Sequence, residues 1–319
     1  MYPMKLIPVY KDYLWGGRRL EKIFDKHSGL DITAESWELS CHPDGLCKIE
    51  NGEYKGQSLL EVLGKHPGYV CKGFKKNDKF PMMVKFIDAA KDLSVQVHPS
   101  DETALQELGE SGKAEMWYIV KAEPRSYIYW GFNRRITKEQ LLELAESGEI
   151  CHVMNKVYVN KGDVFYILPG TIHAIGQGCL IAEIQQSSNT TFRVYDYNRV
   201  GVDGKKRPLH LERAAEVLNY EPIVPDRTVN NSAITTKEFC LSNIFACEYL
   251  RVSKIECRKK ISLFCTEDSF YSLLITEGEG YILFDKDKYD FKNGDSFFLP
   301  AGMGNFEIKG KFTALLSSV

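Results

Sequence analysis

Short apolar runs separated by turn residues follow one another along most of the chain. Residues 93–98 alternate apolar and polar side chains, residues 116–120 form a dense aromatic and β-branched run, and residues 164–168 form a third run that ends at Pro169-Gly170. Alternation with β-branched and aromatic residues is typical of strands, and Pro-Gly pairs are typical of turns. The pattern therefore predicts an all-β fold built from many short strands.

A few segments depart from this β pattern and carry helix signals. Residues 58–61 and 137–140 have the spacing of a capping box, and residues 100–109 run from a serine to a closing glycine. Residues 211–218 indicate one more helix. Short helices are therefore expected as additions to the first two thirds of the chain.

The last third of the chain repeats part of the strand-and-turn pattern. Residues 293–302 parallel residues 161–170, since both pass from a Gly-Asp turn into a short apolar strand that ends at proline and glycine. Residues 221–235 are rich in proline and asparagine with little apolar periodicity, which is typical of a linker. We expect two domains, residues 1–225 and residues 236–319.

Four polar residues at the predicted strands form a candidate metal site. Gln96 and His98 are two positions apart on one strand and project to the same face, Glu115 opens the next strand, and His173 follows a third. Each one alone also fits an ordinary polar residue at a strand end. Together, one amide, two imidazoles and one carboxylate suit a borderline divalent ion such as zinc.

Several motifs in order resemble the type I phosphomannose isomerases (mannose-6-phosphate isomerases) of the short bacterial form. The resemblance covers about residues 5–215 and continues more weakly to the end of the chain. The motifs are residues 15–18, 35–38, 80–89, 93–99, 112–118 and 168–174.

This resemblance implies a fold, a cofactor and an activity. The expected fold is two cupin (jelly-roll) barrels, with the short helices inserted in the first. The expected enzyme binds one zinc ion per chain and interconverts mannose 6-phosphate and fructose 6-phosphate by proton transfer through a cis-enediol. Its partner is a small-molecule sugar phosphate.

The resemblance also implies active-site roles. Lys113, Glu183 and Arg193 match catalytic residues of the family, and the ten-residue spacing from Glu183 to Arg193 is the same. Alternation from Glu183 predicts one strand whose polar face reaches Arg193. Lys113, Arg193 and Arg18, which follows a Gly-Gly turn, are the candidates for substrate binding. The base that takes the C2 proton is either Glu183 or Lys113.

Composition narrows the class of protein. Among 319 residues, 44% are hydrophobic and 26% are charged, as in ordinary globular proteins, and the net charge of -2 gives no basic field for nucleic acid. No apolar run is long enough to span a bilayer. Nine cysteines without a Cys-x-x-Cys motif indicate reduced thiols, and a cytoplasmic location is expected.

Two other functions remain open from the residues alone. Two histidines and a carboxylate can also hold iron in a cupin oxygenase, and a sugar-binding cupin need not be an enzyme. The C-terminal repeat lacks ligands, because Tyr271 stands at the position of Glu115 and Gly304 at that of His173. It is therefore expected to be a metal-free domain.

Overall fold

The computed structural model describes residues 1–201, 204–225 and 232–319, and strands dominate it, with 43% strand and 14% helix. The predicted β-rich fold is confirmed. In this described part of the chain, none of the four sheets closes into a barrel.

The strands of the described residues are numbered in chain order. They are β1 (Met4–Ile7), β2 (Val9–Lys11), β3 (Glu35–Leu39), β4 (Cys41–His42), β5 (Gly45–Leu46), β6 (Lys48–Ile49), β7 (Met82–Asp88), β8 (Val95–Val97), β9 (Glu115–Ala122), β10 (Tyr127–Phe132), β11 (Met154–Tyr158), β12 (Val164–Ile167), β13 (His173–Ile175), β14 (Cys179–Gln186), β15 (Phe192–Tyr195), β16 (Ala233–Thr235), β17 (Phe239–Ala246), β18 (Arg251–Cys257), β19 (Lys260–Cys265), β20 (Tyr271–Phe284), β21 (Asp287–Lys292), β22 (Ser296–Leu299) and β23 (Gly304–Ser318).

The helices are short, and four of the five described helices lie in segments predicted as helical, whereas α1 was not predicted. They are α1 (Arg19–Phe24), α2 (Leu59–Lys65), α3 (Asp101–Leu108), α4 (Lys138–Ser147) and α5 (Leu211–Val217), with 3-10 turns at Pro67–Tyr69 and Ile150–Val153. Both predicted capping boxes form, at the N-termini of α2 and α4. No helix in the described ranges has the length and apolar composition needed to cross a membrane.

A six-stranded sheet, in the order β12-β9-β14-β7-β3-β2, lies at the centre of the molecule and is buried on both faces. On one face, Phe86 belongs to the same apolar cluster as Phe298 of the ten-stranded sheet formed mainly by β16–β23. On the other face, Ile87 packs with Ile175 of the five-stranded sheet β11-β10-β13-β8-β15. Lys85 projects from this second face, between the six-stranded and five-stranded sheets.

The N-terminal strand joins the two ends of the chain. Met4 of β1 pairs with Phe298 of β22, and Leu6 pairs with Ile49 of β6. The first residues therefore belong to the sheet that the C-terminal segment builds. Hydrophobic alternation marks β1 as a strand, but this partner is set by tertiary packing and was not predicted.

The predicted single strand from Glu183 to Arg193 is wrong. The chain leaves the six-stranded sheet after Gln186 and enters the five-stranded sheet only at Phe192. The Gln185 side-chain amide donates hydrogen bonds to the backbone oxygens of Gln186 and Ser188, at 2.9 and 2.6 Å. These local bonds bend the chain, so its polar side chains belong to a loop and not to one strand face.

The linker prediction fails at one end. Within residues 221–235, Ala233–Thr235 forms strand β16 and pairs with β17. Residues 226–231 lie outside the described residues.

The C-terminal repeat is also a repeat in structure. The carboxylates of Asp163 and Asp295 each accept a hydrogen bond from the backbone N–H three residues earlier, at 2.9 and 2.8 Å. The strand after each turn pairs its last residue with the start of a long strand, at Glu115 in one copy and Tyr271 in the other. Tyr271 therefore occupies the position equivalent to Glu115.

Arg19 connects the glycine turn before α1 to the central sheet, and its removal should destabilise the protein. Its Nε lies 2.6 Å from Oδ1 of the fully buried Asp88, and its Nη atoms donate to three backbone carbonyls. Arg19→Ala should lower the free energy of unfolding by about 3 kcal/mol, because it leaves a buried carboxylate without its partner. Denaturant unfolding followed by circular dichroism measures this change.

The neighbouring arginine is the control. Arg18 is exposed and makes one hydrogen bond, to the carbonyl of Asp31. Arg18→Ala should change stability by less than about 0.5 kcal/mol. Equal losses in the two variants would contradict the role assigned to Arg19.

Candidate active site

Cross-strand pairing builds one row of functional side chains on the five-stranded sheet. Trp130 pairs with His173, His173 with Gln96, and Gln96 with Arg193. Directly opposed residues of antiparallel strands project from the same face. The pairing therefore places one histidine, one amide and one arginine side by side.

The six-stranded sheet supplies the row that faces it. Trp37 pairs with Lys85, Lys85 with Glu183, and Glu183 with Trp117. Glu115 lies two residues before Trp117 on β9 and projects to the same face. The Trp117 ring lies edge-on to the ring of His173, 5.4 Å between centroids, so the two rows meet between the sheets.

His98, Glu115 and His173 form a buried group that could hold a metal ion. Their ligand atoms lie within 4.8 Å of one another. Nε2 of His98 is 3.2 Å from Glu115 Oε1, and Nε2 of His173 is 3.9 Å from Glu115 Oε2. No other group of three or more such ligands occurs in the described residues.

The hydrogen bonds of the two imidazoles leave ligand atoms directed at the centre of this group. His98 donates through Nδ1 to the carbonyl of Thr190, and His173 donates through Nδ1 to the carbonyl of Thr171, both at 2.9 Å. Nε2 is then the unprotonated nitrogen of each neutral ring. Nε2 of His173 and Oε2 of Glu115 are buried and find no hydrogen-bond partner among the described residues. A cation would satisfy these atoms, so the residues fit a metal ion.

The electrostatic environment favours the ionisation states that metal binding requires. Burial and then the Lys113 ammonium lower the pKa of His98 to about 3, and burial also lowers the pKa of His173. Burial alone would raise the pKa of Glu115, but Lys113 and His98 hold that pKa well below its usual range. Neutral imidazoles and an ionised carboxylate are the metal-binding forms at neutral pH.

Gln96 and Lys113 border the group. Gln96 pairs directly with His173 and lines the adjacent cavity. Nζ of Lys113 lies 2.8 Å from Glu115 Oε1 and 3.4 Å from His98 Nε2. The Lys113 ammonium therefore lies against two of the atoms that would coordinate a metal ion.

A second charged group lies beside the first. Nζ of Lys85 is 3.6 Å from Glu183 Oε1 and 3.7 Å from Glu35 Oε2, and all three side chains are buried. Trp117 Nε1 donates to Glu183 Oε2 at 2.9 Å. Burial, and then the Glu115 carboxylate, raise the pKa of Glu183 to about 7, although the ammonium groups of Lys85 and Lys113 lower it. Glu183 can therefore exchange a proton near neutral pH.

Glu35, Lys85 and Glu183 line a cavity of about 260 Å³. Arg193 and Arg207 line it, and burial followed by the charge of Arg207 lowers the pKa of Arg193. The buried carboxylate of Asp196 accepts two hydrogen bonds from Arg207, at 2.8 and 2.6 Å. The cavity thus combines the Glu183 carboxylate, whose pKa lies near 7, with two guanidinium groups, and the candidate metal ligands lie beside it.

The structure brings most of the predicted site residues together but not Arg18. Lys113, Glu183 and Arg193 line the cavity with Gln96, beside the three candidate ligands. Arg18 is exposed and lines a separate small cavity with Asp88.

Sequence reasoning missed three charged residues that line the cavity, Glu35, Lys85 and Arg207. The available signal for Lys85 was a lysine in the middle of an otherwise apolar run, at residues 80–89. Lysine is rarely buried without a partner, so this position pointed to a buried ion pair. No comparable local signal marked Glu35 or Arg207.

The chain is thus a mostly β protein in which a buried His-Glu-His group that could hold a metal ion lies beside a cation-lined cavity. Residues 4–128 match the family model for the phosphomannose isomerase type I catalytic domain. Residues 242–319 match the model for the mannose-6-phosphate isomerase cupin domain. The chain belongs to the type I phosphomannose isomerase family.

Individual members of the family are similar to this chain over nearly its full length. Mannose-6-phosphate isomerase ManA of Bacillus subtilis (strain 168) is 38% identical over 99% of this chain and 98% of its own. A mannose-6-phosphate isomerase of Streptococcus mutans is 33% identical over 95% of this chain and 94% of its own. The crystal structure of a mannose 6-phosphate isomerase from Bacillus subtilis matches with a TM-score of 0.93 at 33% identity and covers 100% of both chains.

Both candidate histidine ligands, His98 and His173, should be required for metal binding. The wild-type protein should retain about one divalent ion per chain after dialysis, measured by elemental analysis. His98→Ala and His173→Ala should each lose it, because the two members of the group that remain cannot hold the ion tightly. His66→Ala is the control, since His66 bonds to Tyr54 away from the group. Full metal content in both ligand variants would contradict the assignment.

Proposed function

We propose that the protein is a mannose-6-phosphate isomerase that interconverts mannose 6-phosphate and fructose 6-phosphate through a cis-enediol. The relatives that match its full length carry that name. The observation that carries the proposal is Glu183, a buried carboxylate with a pKa of about 7 in a cavity lined by cations. Proton abstraction next to a carbonyl is most efficient when the pKa of the base lies near the working pH.

We infer that the site binds one zinc ion per chain. His98, Glu115 and His173 would hold it, and Gln96 would be the fourth ligand. Nitrogen and oxygen donors of this kind suit a borderline d¹⁰ ion. When bound, such an ion polarises a substrate carbonyl and offsets negative charge that develops on oxygen.

Glu183 is the better candidate for the base. Its Oε2 is fixed by the indole N–H of Trp117, and Oε1 lies on the side of Lys85 at 3.6 Å. The carboxylate is thus oriented and partly protonated near pH 7. Lys113, the other candidate, is already engaged with Glu115 and His98 as a hydrogen-bond donor. Its role is then to bind substrate oxygen and to hold the carboxylate ligand.

The phosphate group would bind at the guanidinium end of the cavity. Arg207 lies close enough for its charge to disfavour the charge on Arg193, and a dianion bound between them would relieve this. Arg193 can also donate to an oxygen that becomes negative during the reaction, because its buried Nε has no hydrogen-bond partner among the described residues. Arg18 lines a different cavity and is not part of this one.

We propose that the two halves are two cupin barrels, residues 1–225 with the metal site and residues 236–319 without one. The shared turn geometry supports this division. The interior of the second half is filled by aromatic side chains such as Phe291, Phe297 and Phe306. The names of the full-length relatives favour the isomerase over an iron oxygenase or a sugar-binding cupin.

Phosphate recognition should decide substrate choice. In a coupled assay on zinc-loaded protein, kcat/KM for free mannose should be roughly 100-fold below that for mannose 6-phosphate, since two charge-assisted hydrogen bonds are lost. Arg207→Gln should reduce kcat/KM for the phosphate ester by about tenfold and leave free mannose unchanged. Arg18→Gln is the matched control and should alter neither. Equal rates on both sugars would contradict the proposal.

Proton transfer should depend on the Glu183 carboxylate. Glu183→Gln should keep its metal and lose roughly 1,000-fold in kcat, the range typical of a removed general base. In the wild type, only the ionised carboxylate can accept a proton, so activity should fall as the pH drops through the pKa of Glu183. A bound cation lowers that pKa below 7. Wild-type turnover in Glu183→Gln would show that another residue is the base.

A further inference from the structure

Arg193 is held from outside its sheet by the segment that leads into α5. Its backbone N–H donates to Nδ1 of His210 at 3.0 Å, and its carbonyl accepts from the backbone N–H of His210 at 2.7 Å. Its Nη1 donates to the carbonyl of Pro208 at 2.8 Å. Three hydrogen bonds from two neighbouring residues therefore fix both the backbone and the guanidinium of Arg193.

This attachment lies where the sheet itself is weakest. Strand β15 is the edge strand of the five-stranded sheet, and its pairing with β8 shifts register between Arg193 and Tyr195. A bulge at an edge loosens the strand and redirects its side chains. His210 completes the hydrogen bonding of Arg193 on the edge opposite to Gln96.

The bond from Arg193 to His210 sets the protonation state of the imidazole. Nδ1 can accept the backbone N–H only if it carries no proton, so the ring must be neutral with its proton on Nε2. Protonation would place two N–H groups against each other and break the bond. The Phe192 ring lies at an angle of 62° to the imidazole, with 6.5 Å between the ring centroids.

We propose that His210 is a positioning residue that holds Arg193 in the cavity through its neutral imidazole and releases it when protonated. The inference rests on the proposed function, because it assigns a purpose to the position of Arg193. Two charges face His210: Arg193 from β15 and Arg213 from α5. After burial, these two charges lower the pKa of His210 below 6.5, which keeps the ring neutral at physiological pH.

Two substitutions at His210 separate positioning from simple packing. In His210→Asn the side-chain oxygen stands near the place of Nδ1 and can accept the same N–H, whereas His210→Ala cannot. His210→Ala should lower kcat for mannose 6-phosphate about tenfold with KM changed less than about threefold, and His210→Asn should restore most of it. His66→Asn, at another half-buried histidine, should leave kcat unchanged.

The pH dependence gives a readout that packing alone would not change. At pH values below the pKa of both groups, the wild type should lose kcat/KM with a slope of two on a logarithmic plot, one proton for Glu183 and one for His210. His210→Asn should fall with a slope of one. Arg213→Gln should move the second step to higher pH, because it removes a positive charge that disfavours the imidazolium.

Nuclear magnetic resonance tests the attachment without turnover. In metal-loaded protein, the backbone amide resonance of Arg193 should titrate with the His210 ring and stay constant in His210→Asn. An Arg193 amide that ignores the His210 titration, or His210→Ala with full kcat, would overturn the proposal. Absence of any wild-type turnover would refute the isomerase function instead, and the amide titration would still decide the role of His210.

Discussion

The site depends on the burial of three carboxylates and two ammonium groups in one small volume between the sheets. Glu35, Glu115 and Glu183 face Lys85 and Lys113, and all five side chains are buried. With every group ionised, one negative charge is in excess. Away from water such an excess is unfavourable, so the protonation of each group depends on its neighbours. A divalent cation among the ligands would reverse the sign of the excess and let Glu183 ionise.

The architecture makes this burial possible by covering the central sheet on both faces. The face towards the ten-stranded sheet is apolar and includes Phe86 and Met116, and it anchors the strands. The opposite face carries the charged row, in a fixed register with its neighbours. The C-terminal half thus serves the site indirectly, because it supplies the surface against which the six-stranded sheet is packed.

Local pattern explains what the sequence could reveal. Gln96, His98, Glu115 and His173 each sit at a recognisable strand or turn, and the family motifs around them set their order. The capping boxes of α2 and α4 formed where their spacing predicted them, since a helix cap is a contact within four residues.

Long-range register explains what the sequence could not reveal. Lys85 meets Glu183 only because β7 pairs with β14, and Arg207 reaches the cavity only because Asp196 holds it. The polar run after Glu183 was predicted to be one strand because loops and exposed strands have similar compositions. The surface position of Arg18, next to the half-buried Arg19, follows from how one turn packs and not from its residue types.

Proton release on metal binding tests the interdependence of these charges most directly. The ligand pKa values of His98, His173 and Glu115 are already low, so these residues release little at pH 7. Glu183, with a pKa of about 7, is about half protonated there and should lose that proton when a divalent cation binds. Zinc titration by calorimetry in two buffers of different ionisation enthalpy should show about half a proton more released from the wild type than from Glu183→Gln. Equal proton release from the two proteins would contradict the coupling between the metal-ligand group and Glu183.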